Sequence, residues 1–146
     1  MTKYPLPLED HLCFALYGAH QAMNAVYGPL LEPLGLTYPQ YLVLIALWQK
    51  DDQTVGQLGA KLGLASNTLT PLLKRMEAAG HLGRSRSLVD ERQVRITLTP
   101  AGRALETRAN HIPGCILSAT GLDMVGLNDL HQTIRKLRDS LVQQPS

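Results

Sequence analysis

The sequence has few cysteines: 146 residues carry two, Cys13 and Cys115. Two thiols about a hundred residues apart make no disulfide framework, and in a reducing compartment they are not a permanent staple. Long apolar runs are also missing. The longest, Tyr41 to Trp48, is far shorter than the roughly 20 residues a helix needs to span a bilayer. No charged-then-apolar leader with a small-residue cleavage site opens the chain, so a cytoplasmic protein without a membrane partner is expected. There is no internal repeat and no low-complexity stretch. No metal or organic cofactor is expected. The length is that of one domain with a sizeable core.

Net charge is small as well, at +2. Its distribution is uneven. Between 61 and 95 the cations are Lys61, Lys74, Arg75, Arg84, Arg86, Arg92 and Arg95, against Glu77, Asp90 and Glu91. Seven against three leaves +4 in one block, so the remainder of the chain sums to −2. Such a block is either a surface for a polyanion or a solvated charged face.

Periodicity predicts a mainly α fold with a small β-hairpin. Residues 1–7 form a short arm that two prolines keep out of a helix interior. A helix follows from Leu8, with Leu12, Leu16, Ala19, Met23 and Val26 on one stripe and Cys13, Tyr17, His20 and Asn24 beside it. Gly28-Pro29 is expected to interrupt it. Thr37-Tyr38-Pro39 starts a second helix, apolar nearly all round and therefore central. Thr54 caps a third, which Gly63 ends. A fourth follows from Ser66 or Thr68, with Leu69, Leu72, Leu73 and Met76 inward. Pro71 is harmless only in a first turn, which favours a cap near Thr68. Two short helices joined at a glycine form a helix-turn-helix. Strands around 82–87 and 94–98, joined by a polar tip, make a wing. Thr99-Pro100 opens the last helical region, which Pro113-Gly114 must kink or break. The fold class expected is a winged helix-turn-helix (37–99) within one domain, flanked by dimerisation helices at 1–36 and 100–146.

A helix reads a duplex when it fits the major groove and its side chains reach base edges. Ser66, Asn67, Thr68, Thr70, Lys74 and Arg75 are placed for this. Arg84 and Arg86 sit at the base of the wing, where phosphates pass. Arg92 at its tip suits the minor groove, whose negative potential attracts arginine. Arg92 is also placed to pair with Asp90 or Glu91 and pin the hairpin, and pairing can aim the arginine.

A cysteine in an apolar helix is most often a small inert core residue. Glu9 and Asp10, one turn before Cys13, disfavour its thiolate. Activation therefore has to come from donors brought in by folding or by a partner subunit, with Tyr17, Tyr27, Tyr38 and Tyr41 available. The other reading of these tyrosines is core packing with a satisfied hydroxyl.

Five segments together carry a resemblance: Leu12-Cys13-Phe14-Ala15-Leu16-Tyr17; Leu36-Thr37-Tyr38-Pro39-Gln40-Tyr41; residues 68–77; Asp90-Glu91-Arg92; and Ile112-Pro113-Gly114-Cys115-Ile116. From about Leu8 to the last helix the chain resembles the organic hydroperoxide resistance regulators, a branch of the MarR family of winged-helix repressors. The resemblance implies a homodimer on a palindromic double-stranded DNA operator that represses a thiol peroxidase gene, with an organic hydroperoxide as inducer. It also implies roles for particular residues. Cys13 matches the peroxidatic cysteine, Tyr27 and Tyr38 the tyrosines that hydrogen-bond that thiol from the opposite subunit, and Cys115 the resolving cysteine of the two-cysteine type. One departure is Ala65-Ser66-Asn67, where the family often has Asp-Ser-Gly; it removes an anion from a helix start.

Three functions follow as expectations. The first is a repressor, not an enzyme, released when Cys13 is oxidised to a sulfenic acid and trapped by Cys115 of the other subunit. The second is a MarR-type repressor released by a small aromatic ligand, with inert thiols. The third is a thiol peroxidase, for which the basic winged segment has no purpose.

Overall fold

The computed structural model describes residues 6–145, so most of the predicted arm lies outside the described residues. The chain divides into two compact units, one up to Asn110 and one from His111.

In the first unit a single turn at Leu8–Asp10 leads into α1, Leu12–Leu31. The expected break at Gly28-Pro29 does not occur: α1 runs through Pro29 to Leu31. The residue before a proline is forced out of the α region partly by its own Cβ. Gly28 has none, and the helix keeps its bonding beyond the proline, with the Glu32 amide donating to the Gly28 carbonyl.

Helix α2 (Tyr38–Gln49) begins in a full capping box. Thr37 Oγ1 accepts from the Gln40 amide at 3.4 Å, and Gln40 Oε1 accepts from the Thr37 amide at 3.1 Å. Val43, Leu44 and Leu47 are wholly buried, so α2 is the central helix expected. A second capping box, Thr54 with Gln57, opens α3 (Val55–Leu62), which ends at Gly63 with φ 70°. That left-handed residue turns the chain into α4 (Ser66–Ala78).

Helix α4 begins earlier than Pro71 suggested. Its N-cap is Ala65, and Pro71 sits inside the helix. Leu69, Leu72, Leu73 and Met76 are all buried, and that burial outweighs the one backbone hydrogen bond lost at the proline. The cap position has no side-chain oxygen, so the departure at Ala65 removes the cap itself, worth about 1 kcal/mol.

The wing has three strands: β1 (Gln53–Thr54), β2 (Leu82–Arg86) and β3 (Val94–Leu98), antiparallel in the order β1-β3-β2. Arg84 pairs with Ile96 and Arg86 with Val94 across the hairpin, while Gln53 pairs with Ile96 on the other edge. The strand β1 was not expected, since Thr54 was placed only as a helix cap. Buried Gln53 holds it in place by donating from Nε2 to the carbonyls of Ala46 and Lys50, at 3.1 and 2.6 Å.

Helix α5 (Pro100–Ala109) is capped by Thr99, whose Oγ1 accepts from the Gly102 amide at 3.0 Å. Gly102 also accepts from Trp48 Nε1 at 3.0 Å, and a Cβ there would overlap the His81 carbonyl oxygen. Backbone cannot swing away as a flexible side chain does. Gly102→Ala is therefore expected to cost about 3 kcal/mol and lower the melting temperature by roughly 10 °C, read by calorimetry.

The second unit holds α6 (Ile112–Thr120) and α7 (Met124–Val142). The break falls before Pro113, not at it. Pro113 lies in the first turn of α6, where its missing N–H has no intrahelical partner to lose. Gly121, φ 70°, ends α6, and Asp123 caps α7 by accepting from the Gly126 amide at 2.8 Å. No residue of α7 is buried.

Candidate functional site

Two groups of side chains stand out, one basic and one built on thiol and phenol. In the basic group, α4 presents Ser66, Asn67, Thr68, Lys74 and Arg75 to solvent and half-buries Thr70. Ser66, Thr70 and Arg92 line one cleft of about 380 Å³, together with the start of α3 and Val94. The structure thus brings the outer face of α4 and the wing arginine to one surface.

The wing arginines divide into three situations. Arg92 pairs with Asp90 at 3.3 Å yet remains 92% exposed, so the carboxylate steers it without hiding it. Arg86 is exposed and donates from Nη1 to the Glu91 carbonyl at 2.8 Å. Arg84, expected to meet phosphate, is engaged within the chain. It is half-buried, and its Nε and backbone amide both donate to Glu77 on α4, at 3.1 and 3.2 Å. It acts as a strut between α4 and β2. Arg95 is likewise engaged, by Asp52 at 2.7 Å, where Asp52 has φ 59°. The tip was read as polar, but it carries Leu88 and Val89, both fully exposed.

In the second group, Cys13 is a free thiol and exposed, as are its neighbours Leu12, Phe14 and Tyr17. Cys115, also free, is half-buried in α6. Tyr27 and Tyr38 lie together, ring centroids 4.8 Å apart, with Tyr41 at 5.9 Å from Tyr27 and Trp48 beyond. Burial, then the neighbouring phenols of Tyr38 and Tyr41, push the Tyr27 hydroxyl up to about 12; burial raises Tyr38 and Tyr41 as well. All three phenols are thus held in the protonated form, able to donate to a thiolate or to a peroxide oxygen.

These tyrosines do not serve the thiol of their own chain. Cys13 and Tyr27 are fourteen residues apart on one unbroken helix, a rise of about 21 Å. Any tyrosine that touches Cys13 from this cluster belongs to another copy.

The tyrosine pair opens onto a cavity of about 320 Å³, with Leu31, Leu36 and Pro39 as apolar walls and His20, Asn24 and Thr37 as polar ones. Asn24 Nδ2 lies 3.2 Å from His20 Nε2. Sequence reading placed His20 and Asn24 on the stripe of Cys13 but gave them no role. The signal was there: 13, 17, 20, 24 and 27 follow steps of four and three, one face of a helix.

Residues 25–108 match the family model for the transcriptional regulator SarA/Rot. The organic hydroperoxide resistance transcriptional regulator of Bacillus subtilis is 44% identical over 139 residues, covering 95% of both chains. The HTH-type transcriptional regulator TtmR of Methylorubrum extorquens is 44% identical over 137 residues, 94% of this chain and 70% of that protein. Among solved structures, reduced AbfR bound to DNA is 34% identical with a TM-score of 0.78, covering 94% of this chain and 96% of that one. Disulfide-formed AbfR is 37% identical with a TM-score of 0.63, over 92% and 89%. AbfR is a protein of Staphylococcus epidermidis.

Proposed function

The chain belongs to the SarA/Rot family of MarR-like winged-helix transcriptional regulators, and from that premise we propose that it is a repressor released from DNA by organic hydroperoxides. Two copies bind a palindromic duplex. Each inserts α4 in the major groove, with Ser66, Asn67, Thr68, Thr70, Lys74 and Arg75 toward bases and phosphates, and Arg92 of the wing in the minor groove. The half-site spacing is set by the helices outside the winged core.

Cys13 is the sensor. Its thiolate attacks the distal oxygen of the hydroperoxide and the O–O bond breaks. Cys13 becomes a sulfenic acid, and the alkoxide takes a proton and leaves as the alcohol. The Cys115 thiol of the other copy then attacks the sulfenic sulfur. Water leaves and a disulfide joins the two copies. The bond requires α-carbons within about 7 Å, so any wider starting separation is closed by a helix shift that carries the wings with it. A sensor of this kind reacts once per site and needs no turnover, unlike a peroxidase.

The observation that carries the reading is the position of Cys13. It is exposed on a helix whose own tyrosine cluster lies about 21 Å further along. A thiol so placed meets the donors Tyr27 and Tyr38 only in a dimer. Non-reducing gel electrophoresis tests the trap. One equivalent of cumene hydroperoxide should convert the wild type to a reducible dimer, while Cys115→Ser stays monomeric and is labelled by dimedone. A cross-link that persists in Cys115→Ser rejects it.

The cavity beside Tyr27 favours a second reading. Its volume is that of the smallest ligand sites, with apolar walls and a few polar groups. A small aromatic acid bound there would release DNA with both thiols inert. Release of a Cys13→Ser protein by salicylate selects this reading over the first.

A further inference from the structure

We propose that Leu88 and Val89 form an apolar minor-groove reader at the wing tip, one that favours A·T over G·C pairs beneath the wing. The inference rests on the DNA-binding reading above. Both side chains are exposed as fully as a side chain can be, 103% and 98%. Singly exposed apolar residues are ordinary. Two adjacent ones at the end of a tightly bonded loop are not. The Ser87 hydroxyl, itself buried, accepts from the amides of Val89 and Asp90 at 3.2 and 3.3 Å. The Ser87 amide donates to the Gln93 carbonyl, and the Gln93 amide to the Asp90 carbonyl, at 2.9 and 3.0 Å. Asp90 Oδ1 accepts from the Arg92 amide at 3.0 Å. The loop is thus preorganised around two bare hydrocarbon groups, and a preorganised contact loses little entropy on binding.

The occupant follows from position and charge. Arg92 and Gln93 of the same loop line the cleft that Ser66 and Thr70 share. The loop's own charge cancels, Arg86 and Arg92 against Asp90 and Glu91. The loop therefore brings no net charge to the duplex, and apolar contact at its tip adds to what exposed Arg92 supplies. The minor-groove floor offers such contact at A·T pairs. At G·C pairs the guanine 2-amino group projects from the floor, and an apolar side chain over it buries an unpaired donor.

The test uses a duplex selected from a random-sequence library by the reduced full chain, with hydroxyl-radical footprinting to locate the pairs under the wing. Leu88→Ser/Val89→Ser should bind that duplex 10- to 100-fold more weakly, with the salt slope unchanged. Arg92→Ala should lower the slope by about one. Replacing A·T under the wing by G·C should weaken the wild type about tenfold. Inosine·cytosine, which lacks the 2-amino group, should restore it, and the double variant should not discriminate. Equal binding by the double variant, or inosine behaving as guanine, overturns the proposal. If the chain selects no duplex at all, DNA binding itself fails and the tip reading with it.

Discussion

A Cys13→Ser protein should hold its duplex unchanged in cumene hydroperoxide, under conditions where the wild type releases it. The hydroxyl that replaces the thiol is not ionised near neutral pH and does not attack the peroxide bond, so the first covalent step is absent. The substitution is nearly isosteric at an exposed position, so little packing is lost and affinity before peroxide should match the wild type. The difference after peroxide should be large. A switch that moves an operator from almost fully bound to almost fully free changes the relevant equilibrium by about 10⁴-fold. Anisotropy on a labelled duplex, before and after one equivalent of peroxide, measures it. Release of the Cys13→Ser protein would move the sensor to Cys115 or to the tyrosine-lined cavity. Tyr27→Phe separates these cases further. It removes one phenol donor and should slow the oxidation of Cys13 without changing the end state.

The helix-turn-helix was legible because its signals are local. Thr37 and Thr54 with glutamines three residues on, and Gly63 at a left-handed turn, mark boundaries whatever surrounds them. The inward positions of α4 follow from spacing alone. Errors arose where a local rule met a tertiary constraint. Pro29 does not break α1 because Gly28 relieves the clash that a β-carbon would create, and Pro71 is tolerated because four neighbours are buried. Two-residue β1 is too short to show any period, and it exists because β3 offers it an edge. The site was legible in types more than in roles. The ion pair of Arg84 was not legible, because its carboxylate, Glu77, sits across a helix–strand turn that sequence does not close. The cavity was not legible, since His20 and Tyr38 come from different elements. The motif resemblance named Tyr27 and Tyr38 as donors from the opposite subunit, and the helical rise of about 21 Å from Cys13 to Tyr27 is the physical reason one chain does not bring them together.

The pair of substitutions Leu130→Glu and Ile134→Glu should turn the protein into a monomer that neither binds a palindromic duplex nor cross-links. Helix α7 has nineteen residues and none is buried. Leu127, Leu130, Ile134, Leu137 and Leu141 recur at steps of three and four, the apolar face of an amphipathic helix, with Leu130, Ile134 and Leu141 exposed and Leu127 and Leu137 half-buried. Isolated helices are marginal in water, so this one needs a cover, and a second copy of the chain supplies the same exposed face. Exposed apolar side chains along α1, from Leu12 to Val26, make the same demand. Two carboxylates one turn apart on such a face carry a desolvation penalty of several kcal/mol each, enough to weaken dimerisation by about 10³-fold or more. Analytical ultracentrifugation at micromolar protein should show one species of about 16.0 kDa. With one α4 in place of two, the second half-site contact ceases to be intramolecular, and affinity should fall by roughly 10²- to 10⁴-fold. Cys13 would lose both the tyrosines and the trapping thiol of its partner, so peroxide should leave it as a dimedone-reactive sulfenic acid with no dimer on the gel. Neither cysteine nor α4 is touched by these changes. A variant that stays dimeric would place the contact on α1 instead, and one that is monomeric yet still cross-links would show that Cys115 traps Cys13 of its own chain.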